Sequence, residues 1–209
     1  MIDTIKLYLD NLSSEFDQIS TSRKDLLDKL SVYIQSKLIH NLPVQLVYIC
    51  THNSRRSHFG QVWAKVIADY YGIPSVSSFS GGTEATAFNP NAINALKRIG
   101  FEIKQNNQES NPRYEVYHDL SNRPSVCFSK VYDNDDNPSD EFAAIMTCSD
   151  AEQNCPYIPG AEIRIGTTYD DPKAFDGTPL QDLKYDERCR QIALETLYLF
   201  STIKHSKSI

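Results

Sequence analysis

The chain has 209 residues, of which 40% are hydrophobic and 11% aromatic, and its formal net charge is −6. This composition supports a complete core in one domain with extensions or in two small domains, and it excludes a largely disordered chain. The acidic balance argues against a general nucleic-acid binder, which needs basic surface.

The sequence begins without a basic stretch followed by an apolar run, and no apolar segment reaches bilayer length. We therefore expect a cytoplasmic protein with no membrane partner and no nucleic-acid partner. In a reducing compartment, cysteines are expected to be catalytic, metal-binding or buried rather than joined in structural disulfides. The chain has five of them: Cys50, Cys127, Cys148, Cys155 and Cys189.

Apolar periodicity predicts alternating helices and strands, which favours an α/β fold with a parallel sheet. Two helices are expected within residues 1–40, the second capped by Thr21 or Ser22. Residues 104–112 have the polar composition of a loop. The further expected elements are strands at 44–49, 75–79 and 142–147, helices at 57–71, 89–100 and 183–203, and a hairpin at 114–118 and 125–132 near a sheet edge.

The most informative stretch runs from Cys50 to Ser57 and reads Cys-Thr-His-Asn-Ser-Arg-Arg-Ser. It joins a predicted strand to a predicted helix, where backbone N–H groups and the helix dipole favour a tetrahedral oxyanion and a reactive thiolate. Arg56 can donate hydrogen bonds to an oxyanion in a bidentate manner, and the Ser57 hydroxyl can donate a hydrogen bond to the sulfur of Cys50. The alternative is a buried strand-end cysteine followed by a basic helix cap. The predicted oxyanion-binding residues are Thr51, His52, Asn53, Ser54, Arg55 and Arg56.

This stretch resembles the phosphate-binding loop of the low-molecular-weight protein tyrosine phosphatases and of the thioredoxin-coupled arsenate reductases that share their fold. The resemblance covers about 45–105 and 142–203. It continues through Ser-Gly-Gly-Thr-Glu at 80–84, Asn89-Pro90, Cys-Ser-Asp-Ala-Glu-Gln-Asn-Cys-Pro at 148–156, and Asp170-Asp171-Pro172.

The resemblance implies a three-layer sandwich with a central four-stranded parallel sheet. On that basis we expect an N-terminal helical extension at 1–42. The catalytic domain would occupy 43–209 and carry an insertion at about 106–141, which contains the predicted hairpin.

By the same resemblance, Cys50 would attack arsenate, Cys148 would attack Cys50 and release arsenite, and Cys155 would attack Cys148. The resulting disulfide would be reduced by thioredoxin or another external thiol, and no bound cofactor is implied. The polar residues between Cys148 and Cys155 show no regular helix signature, which suits a segment that loops outward. A zinc site is disfavoured by the spacing of this pair and the lack of a nearby histidine.

Asp171 would be the general acid by resemblance, because the family places this aspartate just before a proline. An Asp-Pro turn is the alternative. His52 replaces a loop glycine. Arg55 replaces a cysteine and either adds charge beside the anion or starts the helix as a solvated side chain, which is the commoner outcome. Gln61 stands where a glutamate linked to potassium can occur, so no monovalent-ion site is expected. Cys127 and Cys189 are expected to be buried.

Three functions remain open from the sequence. The first is reduction of arsenate by the three-cysteine relay, for which Cys148 and Cys155 are the distinguishing residues. The second is hydrolysis of a phosphate monoester by Cys50, Arg56 and Asp171, with Cys148 and Cys155 serving as redox protection. The third is a non-catalytic oxyanion-binding or redox-sensing module, since one scaffold hosts all three.

Overall fold

The computed structural model describes residues 1–155 and 157–204, so the expectation for Pro156 lies outside the described residues. Two 3₁₀ helices, Ser13–Gln18 and Pro172–Phe175, supplement the main elements. In chain order, these are α1 (Asp3–Leu12), α2 (Thr21–Ile39), β1 (Val44–Cys50), α3 (Arg56–Tyr71), β2 (Val76–Gly82), α4 (Pro90–Ile99), β3 (Glu102–Gln105), β4 (Tyr114–Tyr117), β5 (Ser125–Cys127), β6 (Phe142–Met146), α5 (Ser149–Asn154), β7 (Ala161–Gly166) and α6 (Gln181–Ser201).

A four-stranded parallel sheet forms the centre of the molecule, as the sequence predicted. Its strand order is β2-β1-β6-β7. Strands of a parallel sheet are covered on both faces and therefore read as continuous apolar runs. All five residues of β6, Phe-Ala-Ala-Ile-Met, are buried.

Side chains of β1 alternate between two apolar layers. Leu46 and Tyr48 join the core formed with α1–α4 and α6 on one face. Val47 and Ile49 join a smaller cluster on the other face, which includes Ala151 of α5. The result is the expected three-layer arrangement with unequal outer layers.

The N-terminal helices pack directly on the main core. Ile5 and Leu9 of α1 are fully buried, and the Tyr8 ring stacks on Trp63 of α3 with centroids 5.7 Å apart. The cap of α2 is Ser20, whose hydroxyl accepts a hydrogen bond from the Arg23 N–H. The prediction of Thr21 or Ser22 was therefore displaced by one residue or two.

The insertion forms a separate antiparallel sheet in the order β3-β4-β5. The predicted hairpin corresponds to β4 and β5, although β5 is shorter than expected. The loop prediction for 104–112 was wrong at its start, because Lys104 and Gln105 pair with β4. After β5, the chain returns to the main sheet, where Gly82 at the end of β2 bridges Val131.

None of the helices formed by residues 1–155 and 157–204 is long and apolar enough to cross a membrane.

Candidate active site

The oxyanion loop, residues 50–57, connects the end of β1 to the first turn of α3. Such an arrangement directs free N–H groups toward a common centre. The backbone N–H groups of residues 51–56 have no hydrogen-bond acceptor within the described parts of the chain. These donors are consequently available to an anion.

Asn53 provides the left-handed residue of this loop, with φ of 43°. Asparagine tolerates this conformation better than most residues. His52, at the position where a glycine was expected, does not have positive φ, so its backbone is not strained. Its imidazole is partly exposed and lies 3.8 Å from a Glu84 carboxylate oxygen.

Gly82 lets the end of β2 approach the loop closely. A Cβ atom built on Gly82 would lie 2.6 Å from the Thr51 carbonyl oxygen and 2.8 Å from the Asn53 nitrogen. No side chain fits there without movement of the loop backbone. This contact explains a glycine within the Ser-Gly-Gly motif.

Cys50 is buried, and its Sγ lies 3.1 Å from the Ser57 Oγ. The Asn53 amide donates to the same Ser57 oxygen over 2.9 Å, which leaves the Ser57 hydroxyl hydrogen free to point at the sulfur. A hydroxyl donor at this distance stabilises a thiolate and a departing sulfur alike.

Arg56 and Asp171 meet beside the loop. The Arg56 Nη2 donates to Asp171 Oδ2 over 2.7 Å, and its Nη1 donates to the Tyr169 carbonyl over 2.8 Å. The Nε of Arg56 is buried and has no acceptor among the described residues. Arg56 thus keeps a donor for an oxyanion while it holds the candidate acid.

Asp171, rather than Asp170, faces the loop. The Asp170 side chain is fully exposed, whereas that of Asp171 is 30% exposed. Asp171 also caps the 3₁₀ helix Pro172–Phe175, since its Oδ1 accepts from the Lys173 N–H over 3.0 Å. Asp171 therefore forms the Asp-Pro turn and also places a carboxylate beside the loop.

Arg55 is buried, which corrects the expectation of a solvated arginine. Its Nε donates to the Tyr185 hydroxyl over 2.9 Å, and its Nη1 lies 3.7 Å from Asp171 Oδ2. The side chain reaches the acid and α6.

The remaining predicted loop residues support the loop backbone. The Ser54 hydroxyl donates to the Ala87 carbonyl over 2.8 Å. The Thr51 hydroxyl donates to Asp150 over 2.8 Å and lies 3.4 Å from the Sγ of Cys148. Thr51 therefore links the loop to the second predicted cysteine.

Cys148 is buried at the N-terminus of α5, where its Sγ accepts from the Ala151 N–H over 3.4 Å. The expectation of an irregular backbone after Cys148 was wrong, because residues 149–154 form a helix. Asp150 and Glu152 in the first turn favour that helix through its dipole. Their pattern is too short to produce a recognisable apolar period.

Cys155 is half-buried at the C-terminus of α5. Arg164 of β7 binds this end through three hydrogen bonds: to the Cys155 carbonyl, to the Glu152 carboxylate and to the Glu152 carbonyl. The three candidate cysteines contact one apolar cluster, in which Cys50 and Cys148 are buried and Cys155 is peripheral. All three are free thiols.

Cys127 and Cys189 are fully buried, as expected, and away from this cluster. Burial raises the pKa of each thiol to about 12. The Cys189 sulfur accepts a hydrogen bond from the Trp63 indole. Both behave as small core residues.

A buried polar network behind the loop was not found from the sequence. The Ser80 hydroxyl donates to Gln61 Oε1 over 2.6 Å and lies 3.2 Å from His58 Nδ1. Burial lowers the pKa of His58 to about 3, so the imidazole is neutral. In the sequence, the available signals for this network were Ser80, as part of the Ser-Gly-Gly-Thr-Glu motif, and Gln61, as the replacement for a glutamate.

Within the described residues, no group of three or more His, Cys, Asp or Glu side chains is arranged to hold a metal ion. The polar groups of the site are instead donors suited to an anion.

Comparison with known proteins found no matching family model. Arsenate reductase 2 of Staphylococcus haemolyticus is 33% identical over 128 residues, which cover 61% of this chain and 77% of that protein. Arsenate reductase of Bacillus subtilis is 29% identical over 146 residues, covering 69% and 86%. A low-molecular-weight phosphotyrosine phosphatase from Vibrio cholerae O395 shares the fold, with a TM-score of 0.50, 13% identity, and coverage of 76% of this chain and 95% of that one.

Proposed function

Because the chain belongs to the arsenate reductase family, we propose that it reduces arsenate to arsenite through a relay of Cys50, Cys148 and Cys155. The family consists of enzymes, so the non-catalytic module is not retained.

One observation carries the proposal: the second thiol lies beside the oxyanion loop. Thr51 directly follows the nucleophile, and its hydroxyl is 3.4 Å from the Cys148 sulfur. Cys50 and Cys148 also belong to the same apolar cluster. A simple phosphatase needs no second thiol at this position, whereas a relay requires thiols that can meet in turn.

In the first step, the Cys50 thiolate attacks the arsenic atom of arsenate. The loop N–H groups and the Arg56 guanidinium stabilise the charge on the oxyanion. A hydroxide leaves the arsenic and takes a proton from Asp171, so that water departs and a Cys50–arsenic(V) adduct remains.

In the second step, the Cys148 thiolate attacks the Cys50 sulfur. The sulfur–arsenic bond breaks, its electron pair remains on arsenic, and arsenite leaves as arsenic(III). The Cys155 thiolate then attacks the Cys148 sulfur and releases the Cys50 thiolate. The two electrons are finally supplied by an external dithiol of the thioredoxin type, which reduces the Cys148–Cys155 disulfide.

The last exchange requires α5 to open. Its two flanking cysteines are seven positions apart, which corresponds to about 10 Å in a helix, whereas the Cα atoms of a disulfide lie about 4–7 Å apart. A helix of six residues has little stability of its own. Unwinding of α5 would bring Cys155 to Cys148 and expose the disulfide to a reductant.

Phosphomonoester hydrolysis is the second candidate function. The contact of 2.7 Å between Arg56 and Asp171 favours it, because an oxyanion clamp and an acid are sufficient for a cysteinyl-phosphate route. This activity would use Cys50 and leave Cys148 and Cys155 idle.

Replacement of Cys155 separates the two functions. We expect Cys155→Ala to release about one arsenite per enzyme and then stop when thioredoxin is the reductant, because the Cys50–Cys148 disulfide stays buried. Hydrolysis of an aryl phosphate, if present, should continue. The matched control is Cys127→Ala, which removes a thiol outside the relay. Sustained arsenite production by Cys155→Ala would refute the relay order.

A further inference from the structure

A cleft of about 400 Å³ lies between the main sheet domain and the insertion. Gln61 and Lys65 of α3 line it, together with β2 and the chain around β5. No described residue of the oxyanion loop lines the cleft. The lining residues from the insertion include Arg113, Pro124, Val126, Phe128, Lys130 and Asp136.

Lys130 is the unusual residue of this cleft. It is only 4% exposed. Among residues 1–155 and 157–204, no carboxylate lies within 4.0 Å of its Nζ and no acceptor takes a hydrogen bond from it. Asp136 attracts this amine only from a greater distance and is itself paired with Arg113. The Phe128 ring lies beside the amine, with its centroid 4.5 Å from Nζ. Burial lowers the pKa of this amine, as expected for a charge removed from water.

A buried cation without a direct ion pair costs free energy, and one aromatic contact together with a distant carboxylate does not offset that cost. A methionine would fill the same space without the penalty. An ammonium that lines an accessible cleft is instead suited to a ligand that supplies the missing negative charge.

The charges around the cleft define the ligand further. The Arg113 guanidinium lies 3.8 Å from the Phe128 centroid, and Asp136 neutralises it at 2.8 Å. Lys65 is paired with Asp69. Lys130 therefore remains as the cation without a direct ion pair, which matches a single negative charge better than a dianion.

We propose that this cleft binds a small organic monoanion, namely a carboxylate carried on an aromatic or apolar body. The carboxylate would contact Lys130 and the free donors of Arg113. The body would lie against Phe79, Pro124 and Val126, which provide the apolar part of the wall. This site is distinct from the arsenate site and does not depend on the proposed relay.

Benzoate is a suitable probe, and benzyl alcohol is its neutral counterpart. Isothermal titration of the full chain should detect benzoate binding at concentrations up to about 10 mM, an affinity typical of so small a ligand. Benzyl alcohol should bind at least about tenfold more weakly, because it cannot satisfy Lys130. No benzoate binding in this range would overturn the proposal.

Two variants locate the anion. Lys130→Met should weaken benzoate binding at least about tenfold without lowering the thermal midpoint, because methionine suits the buried position. Arg113→Gln provides a second test at a more exposed residue and should weaken binding several-fold. The matched control is Lys97→Met, which changes the same charge on the exposed face of α4.

Arg56→Met separates the cleft from the oxyanion loop. Benzoate binding that survives in Arg56→Met and is lost in Lys130→Met supports the cleft. Binding lost in Arg56→Met and retained in Lys130→Met would show that the carboxylate occupies the loop, which would overturn the proposal.

Discussion

Two arginines share one carboxylate at the oxyanion loop. Arg56 contacts Asp171 at 2.7 Å, and Arg55 approaches the same oxygen at 3.7 Å. An oxyanion that engages the Arg56 guanidinium competes for donors that now hold Asp171. Substrate binding and release of the acid for proton transfer are therefore expected to be linked at the level of single residues.

Asp171→Asn tests the assignment of the general acid. We expect kcat to fall by about 100-fold or more, because an amide cannot supply the proton to the leaving oxygen. Binding of inorganic phosphate should persist, since the loop donors remain. The control is Asp170→Asn, one residue away and fully exposed. Equal effects of the two substitutions on kcat would remove Asp171 from the mechanism.

His58 makes the stability of the fold depend on pH. Its pKa is about 3 in the folded chain and 6.5 when unperturbed, so the unfolded chain binds the extra proton between these values. The contribution of His58 to stability is present above about pH 6.5 and is lost as the pH falls toward 3.

The corresponding test compares the free energy of unfolding at pH 7 and pH 4.5. Wild type should lose about 2–3 kcal/mol more than His58→Gln over this interval. His40→Gln, at the exposed histidine that follows the last turn of α2, serves as the control. Parallel pH curves for wild type and His58→Gln would contradict a neutral buried His58.

At the scale of elements, α5 is the part of the site that the proposed relay requires to change shape. Three hydrogen bonds from Arg164 hold its C-terminal end, including one to the Cys155 carbonyl. This clamp stabilises the helical form, whose rise over seven positions, about 10 Å, exceeds the reach of a disulfide. Opening of α5 therefore has to break the contacts of Arg164.

Arg164→Met should accelerate opening of α5. We expect faster amide hydrogen exchange over 149–154 and a several-fold faster formation of the Cys148–Cys155 disulfide during single-turnover oxidation. Arg123→Met, at an exposed arginine in the insertion, is the matched control. Unchanged exchange in Arg164→Met would show that the clamp does not limit the opening.

Elements with a strong apolar period could be predicted from the sequence, and weakly patterned ones could not. The strand at β1, the helix from Asn89-Pro90 to Gly100 and the closing helix α6 all follow from their periodicity. By contrast, β3 is mostly exposed and α5 spans only six residues. Their structure depends on tertiary partners, which a local pattern does not contain.

The same limit applies to the site. The grouping of Cys50, Arg56 and Ser57 could be predicted because they lie at fixed spacing between a strand and a helix. The burial of Arg55 depends on Tyr185, which is 130 positions away in the sequence. The network of His58, Gln61 and Ser80 likewise joins two elements whose contact is visible only in the fold.

At the scale of the whole molecule, both additions to the sheet domain are integrated into the structure. The N-terminal helices contribute Ile5, Leu9 and Leu12 to the main core. The insertion closes against the loop, where the Lys130 N–H donates to Asn53 Oδ1 over 2.9 Å and Ser129 donates to the His52 carbonyl over 3.0 Å. The oxyanion loop is thus supported by a segment that the family resemblance does not cover.

We propose that three cysteines act in series on arsenate, and disulfide mapping distinguishes this relay from the other mechanisms. Reduced protein would be incubated with arsenate, its disulfides mapped by peptide mass spectrometry, and arsenite measured in the same samples. The relay predicts a Cys148–Cys155 disulfide that forms in step with about one arsenite per chain. Fully reduced cysteines without arsenite, or arsenite produced with a different disulfide, would contradict it.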